Sequence, residues 1–118
     1  VIKNPLDKAI SAGEASVISG ESIQVFDGEI GIVSKDLSRV LLEDVLIENT
    51  RLGFSSFQKK SEYGKASIDI SRLSQVNNET DFLIESGCRL TINNEKMPTI
   101  SSKVIEQMYG AEYGKSSK

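Results

Sequence analysis

The sequence predicts an all-β fold, a right-handed parallel β-helix of about four turns closed by a short C-terminal capping helix. Three observations predict it. Apolar positions recur at an offset of 22 residues, apolar and polar residues alternate within each copy, and an Asp or Asn recurs at one place in successive copies.

The offset is read by laying residues 7–25, DKAISAGEASVISGESIQV, over residues 29–47, EIGIVSKDLSRVLLEDVLI, without a gap. Ile10 then falls on Ile32, Ser16 on Ser38, Ile18 on Val40, Ile23 on Val45 and Val25 on Ile47. Apolar positions keep their place while polar ones drift, as expected of core-facing positions. A third copy carries Phe54, Ile68, Ile70 and Leu73, displaced by an insertion, QKKSEYGK, at residues 58–65. The fourth, FLIESGCRLTINN, restores the offset, with Leu90 after Ile68 and Ile92 after Ile70. A repeat of this length signals stacked units, each burying its apolar face only against its neighbours.

The alternation decides which kind of stack. RVLLEDVLIEN and ASIDISRLSQV have a period of two, the mark of strands. A leucine-rich repeat would need its leucine scaffold and a following helix or turn, and that pattern is absent. Short strands with polar corners, about three to a turn, give the parallel β-helix. Asp27, Asn49 and Asn77 lie four residues after Ile23, Val45 and Leu73 and mark one such corner. Asp and Asn tolerate left-handed backbone and bond neighbouring amides. Stacked at the strand spacing of about 4.8 Å, they are expected to form a structural ladder.

The remaining segments follow. Residues 1–97 are assigned to the β-helix turns, 98–110 to a cap and 111–118 to a flexible tail. In TISSKVIEQMYG, Ile100, Val104, Ile105 and Met108 stand at helical spacing, with Ser101 or Ser102 as N-cap and Gly110 as a stop. A helix over 101–109 would close the C-terminal end, where open strand edges would otherwise recruit other chains. No comparable cap is visible at the N-terminus, so self-association through the first turn is expected. VIKNPLDK starts without Met and already continues the pattern, which reads as a piece of a longer protein.

Composition bounds the function. With 38% hydrophobic and 26% charged residues, net charge −3 and no run of 18 apolar residues, the chain reads as neither a membrane span nor a disordered tail. The acidic balance without a basic stripe argues against nucleic acid. Cys88 is the single cysteine, standing where earlier copies have Ser16, Ser38 and Ala66, and reads as a buried structural thiol. With no histidine and no second cysteine, no metal site and no cofactor are expected.

The phrases IGIVSKDLSRV, GFSSFQKKSEYGKASIDI and FLIESGCRLTI resemble the terminal turns of right-handed parallel β-helix domains of large bacterial surface or exported proteins, in the broad pectate-lyase-like superfamily. The resemblance covers residues 7 to about 97. It implies a secreted or cell-surface location and a polysaccharide, or another domain of the same protein, as partner. It transfers no activity, because that superfamily's scaffold carries lyases, hydrolases, adhesins and tail spikes alike.

Candidate sites are sparse. The insertion offers Lys59, Lys60, Glu62 and Tyr63, and Lys35 with Asp36 occupies the corresponding segment of the neighbouring turn, giving a mixed-charge ridge. Such a ridge is also what an ordinary solvated loop looks like. Tyr63 is the candidate for stacking on a sugar ring, whereas Phe57 is expected to pack beneath the insertion. Glu43 and Asp69 form a possible carboxylate pair, with no arginine expected in their column, and read as ordinary outer surface. No catalytic residue is assigned. The expected function is a non-catalytic spacer or docking module at the C-terminal end of a larger exported protein; the alternative is the C-terminal part of a polysaccharide lyase or glycoside hydrolase whose active site lies upstream.

Overall fold

A computed structural model describes residues 1–3, 7–59, 64–101, 104 and 105. Ten strands follow in chain order: β1 (Ile2–Lys3), β2 (Lys8–Ala12), β3 (Val17–Phe26), β4 (Ile30–Lys35), β5 (Arg39–Glu48), β6 (Leu52–Phe57), β7 (Ser67–Val76), β8 (Thr80–Ile84), β9 (Arg89–Ile92) and β10 (Glu95–Lys96). The fold is all-β. A long-stranded sheet has the order β1-β3-β5-β7-β9-β10, and a short-stranded sheet the order β2-β4-β6-β8. From β2 to β9 the chain alternates between the two sheets, and within each sheet the neighbouring strands are parallel.

The register follows the sequence offset. Ile18 pairs with Val40, Val40 with Ile68 and Ile68 with Leu90, so these four side chains form one column. On the short sheet the column runs Ile10, Ile32, Phe54, Phe82. The insertion lengthens one step to 28 residues without disturbing the pairing, since Val40 still meets Ile68. These columns supply much of the main core, with Val40, Ile32, Phe54, Ile68 and Leu90 fully buried between the sheets. A β-branched or leucine side chain at each level fits the pleat and meets its own kind one strand away.

Each unit bends where the backbone turns left-handed. Asp27, Asn49 and Asn77 have φ of 57°, 59° and 55°. A second corner at Ser22, Asp44 and Arg72, with φ of 57°, 54° and 56°, lies inside β3, β5 and β7. The three short strands expected per turn are therefore two elements, one of them a ten-residue strand bent at its middle. The third corner carries Ala15 and Leu37 at φ 50° and 67°, and Gly87 at φ 93°. Left-handed backbone suits Asp and Asn but costs Leu and Arg about 1 kcal/mol or more.

The two inner strands of the short sheet are buried on both faces. Every residue of β6 is buried, as is every residue of β4 except Lys35. Between the outward Ile30 and the inward Ile32 stands Gly31, where a Cβ would lie 2.5 Å from the Gly53 carbonyl oxygen; a Cβ on Gly53 would lie 2.5 Å from that of Asp81. Only glycine lets these backbones approach, and the pair shifts the alternation so that Ile30, Val33, Leu52 and Phe57 face outward. They form a second cluster with Val104, against which Leu83, Ile100 and Ile105 pack.

The C-terminal segment departs from the expected end cap. After β9 the chain reverses and β10 pairs antiparallel with it, Glu95 opposite Ile92. Ile100 bridges Glu85 in parallel beside β8. Val104 and Ile105 are helical, and the buried Val104 lies on the outer face of the short sheet. Ile100, Val104 and Ile105, read as part of a lid for the stack's end, instead cover its flank. The rest of the predicted helix over 101–109 lies outside the described residues, Ser101 apart, as does the tail.

Candidate functional site

The long sheet's outer face carries the best-formed concavity. Its outward positions run Ser19, Leu41, Asp69, Thr91 in one column and Glu21, Glu43, Ser71, Asn93 in the next. Bounded by these and by Asn94, a groove of about 460 Å³ crosses β3, β5, β7 and β9. Gly20 occupies the core-facing position that Leu42 and Ile70 fill in the next two strands.

Neither column contains an arginine, as expected, but arginines from neighbouring positions reach Asp69 and Glu43. Asp69 accepts hydrogen bonds from Arg89 Nη2 at 2.9 Å, from Arg89 Nε at 3.3 Å and from the Thr91 hydroxyl. Partial burial pushes the Asp69 carboxyl up, but the Arg89 and Thr91 hydrogen bonds and the charges of Arg89 and Arg39 outweigh it, leaving the group below its ordinary range. Asp44 is held down chiefly by hydrogen bonding to Arg72, whose Nε and Nη2 both reach it, the latter at 3.1 Å; Glu43 stands 3.5 Å from the same guanidinium. Asp69 and Glu43 therefore each face a different arginine, and the lowered pKa of Asp69 is the opposite of what a general acid needs.

The insertion's stem is held by carboxylates from the units on either side. Asp36, fully buried, accepts a hydrogen bond from the Lys59 backbone N–H at 2.7 Å. It therefore does not stand on an exposed ridge with Lys35. Lys35 is half-buried, and burial together with the neighbouring charges of Lys59 and Lys8 lowers its pKa against the opposing pull of Asp36 and Glu14. Glu85 was not singled out by sequence, yet it accepts hydrogen bonds from the backbone N–H groups of Gln58 and Val104, both at 3.2 Å, with Lys65 Nζ at 3.9 Å. Lys60, Glu62 and Tyr63 lie outside the described residues. Phe57 is buried in the second cluster.

The Asp/Asn ladder has two joined rungs. Asn49 Nδ2 donates to Asp27 Oδ1 at 3.0 Å, and Asn77 repeats the backbone conformation. The next residue carries the hydrogen bonds instead. Asn78 Oδ1 accepts from the Thr50 N–H and hydroxyl at 2.9 and 2.8 Å, and its Nδ2 donates to the Ile47 carbonyl. The signal was present in the sequence, since Thr50 and Asn78 are separated by the same 28 residues as Val40 and Ile68.

Cys88 is buried. Its Sγ accepts from the Ala66 N–H at 3.4 Å, as the Ser38 hydroxyl accepts from the Ser16 N–H in an earlier unit. Burial pushes the thiol's pKa up, opposed by the Ala66 amide, the Ser56 hydroxyl and Lys65. A thiol held protonated is a poor nucleophile. Among the described residues, no group of Cys, Asp and Glu side chains is placed to hold a metal ion.

Searches of family models, of curated proteins and of solved structures find no match to this chain. None of them identifies a pectate-lyase-like family.

Proposed function

We propose that the chain winds as a right-handed parallel β-helix and acts as a non-catalytic module, a rigid spacer with a docking surface, of an exported or cell-surface protein. The observation that carries the reading is that carboxylates fasten one unit to the next. Asp69 receives Arg89, Asp44 receives Arg72, Asp36 receives the Lys59 amide and Glu85 receives the Gln58 amide. Acids engaged in this way tie successive strands together. The parallel register from β2 to β9 supports a stiff bar, and the groove on the long sheet is a surface for docking an extended polysaccharide or a neighbouring domain.

Enzymatic assay tests the reading directly. Incubation with a panel of acidic and neutral polysaccharides should yield neither unsaturated uronates nor new reducing ends. Turnover that disappears in Lys60→Ala or Asp69→Asn would overturn it and favour the carbohydrate-active alternative.

A further inference from the structure

The groove on the long sheet holds acids that lack a cation of their own. Elsewhere the neighbouring arginine is claimed: Asp69 takes Arg89 through both Nε and Nη2, Asp44 takes Arg72, and Glu29 takes Arg51. Glu43 has only the long contact to Arg72 Nη2 at 3.5 Å, and Glu21 has no hydrogen-bond or ion-pair partner among the described residues. The register sets these two carboxylates side by side, Glu21 on β3 against Glu43 on β5. Like charges in that relation cost stability. Asp69 adds a third carboxylate to the lining, and among the described residues no lysine or arginine lines the groove.

We propose that the groove binds a linear polysaccharide of unacetylated amino sugars, laid across the strands with its ammonium groups on Glu21 and Glu43. The inference rests on the docking reading above and names the chemistry of the ligand. Direction comes from the groove itself, which crosses β3, β5, β7 and β9. A chain laid that way meets a new strand about every 4.8 Å, close to the length of one equatorially linked pyranose. An extended peptide advances only about 3.3 Å per residue and falls out of step. The repeat therefore favours a glycan over a polypeptide.

The side chains suit such a ligand. Half-buried Leu41, between Ser19 and Asp69 in one column, offers an apolar patch to the C–H face of a ring. Ser71, next after Glu43 in the other column, and Asn94 beyond β9 supply neutral hydrogen-bonding groups for hydroxyls. An ammonium group between Glu21 and Glu43 relieves the repulsion already present there, whereas a polyuronate of the same linkage brings further carboxylates against Glu21, Glu43 and Asp69. Charge thus selects among glycans that share one step length.

Calorimetric titration of the 118-residue chain with tetrasaccharides tests the proposal. At about pH 5.5 the carboxylates are ionised and the sugar amines are protonated. An equatorially linked glucosamine tetramer should bind about tenfold or more tightly than its fully N-acetylated form, and the matching glucuronate tetramer should give no heat beyond dilution. Glu21→Gln and Glu43→Gln, both at exposed positions, should each weaken the glucosamine tetramer by about fivefold. Glu79→Gln removes an exposed acid outside the groove and should leave the affinity unchanged. Absence of binding, equal affinity for the three tetramers, or a preference for the glucuronate would overturn the proposal. So would a loss in Glu79→Gln as large as in Glu43→Gln, since that marks general attraction to an acidic chain. Each of these results leaves the module reading standing; that reading fails only on turnover of a polysaccharide, whichever tetramer the groove prefers.

Discussion

The two sheets are made of equal numbers of repeats yet bury their residues in different ways. β5, in the long sheet, alternates, with Val40, Leu42, Val45 and Ile47 inside and Arg39, Glu43 and Asp44 in water. β6, in the short sheet, is buried throughout, because the main core lies on one side and the cluster of Leu52, Phe57 and Val104 on the other. A strand with one wet face can vary its outer side chains freely, whereas a strand covered on both faces is constrained at every position. The long sheet is thus the surface available to ligands, and the short sheet is an interior wall.

Substitutions that treat the two sheets alike should therefore give unequal results. Phe57→Ala is expected to lose about 3–5 kcal/mol of unfolding free energy in urea titrations, because the cavity opens beneath a covered face. Val76→Ala, on the exposed side of the long sheet, should stay within about 0.5 kcal/mol. Equal losses would mean that the short sheet's second face is not held closed.

Gly53→Ala should cost about 1–3 kcal/mol, since the new methyl meets the Asp81 carbonyl at 2.5 Å and the Gln75 side chain at 2.7 Å. Ser19→Ala, at an exposed position of the long sheet, provides the matched control. Glu85→Ala should cost about 1–3 kcal/mol, because two backbone amides lose their acceptor. Hydrogen exchange should then quicken at Gln58 and Val104 while Val40 and Ile68 keep their protection. Uniform loss of protection would show that the carboxylate supports the whole stack and not the attached segments.

Acid provides the gentlest probe. The carboxyl of Asp69 lies below its ordinary value in the folded chain, so its contribution is present above about pH 4 and fades as pH falls through the folded value. The stability difference between wild type and Arg89→Met should accordingly be measurable at pH 7 and shrink as pH falls below the ordinary carboxylate range. A difference that grows in acid would contradict the pairing.

The columns were legible in sequence because their side chains face a core that tolerates only apolar groups, so Ile18, Val40, Ile68 and Leu90 preserve the register through an insertion. Asp27 and Asn49 were legible because left-handed corners select Asp and Asn. Leu37 and Arg72 occupy such corners against their intrinsic preference, and no local signal marks them. The partners of Asp69 and Asp44 depend on which way an arginine extends along the sheet, a rotamer choice made only after assembly. The path of the C-terminal segment was misplaced because amphipathic spacing at Ile100, Val104 and Ile105 identifies an apolar stripe without saying which surface receives it.

The detour between β6 and β7 leaves the pairing on either side intact: Ser67 N–H still reaches the Ser38 carbonyl at 3.0 Å, although six residues more than usual intervene. Chain length at that point is thus a nearly independent variable, since doubling a flexible excursion costs only about 0.6 kcal/mol of closure entropy. A peptide epitope or a small folded cargo spliced there would be displayed from a fixed address on the flank, without renegotiating the stacking on either side.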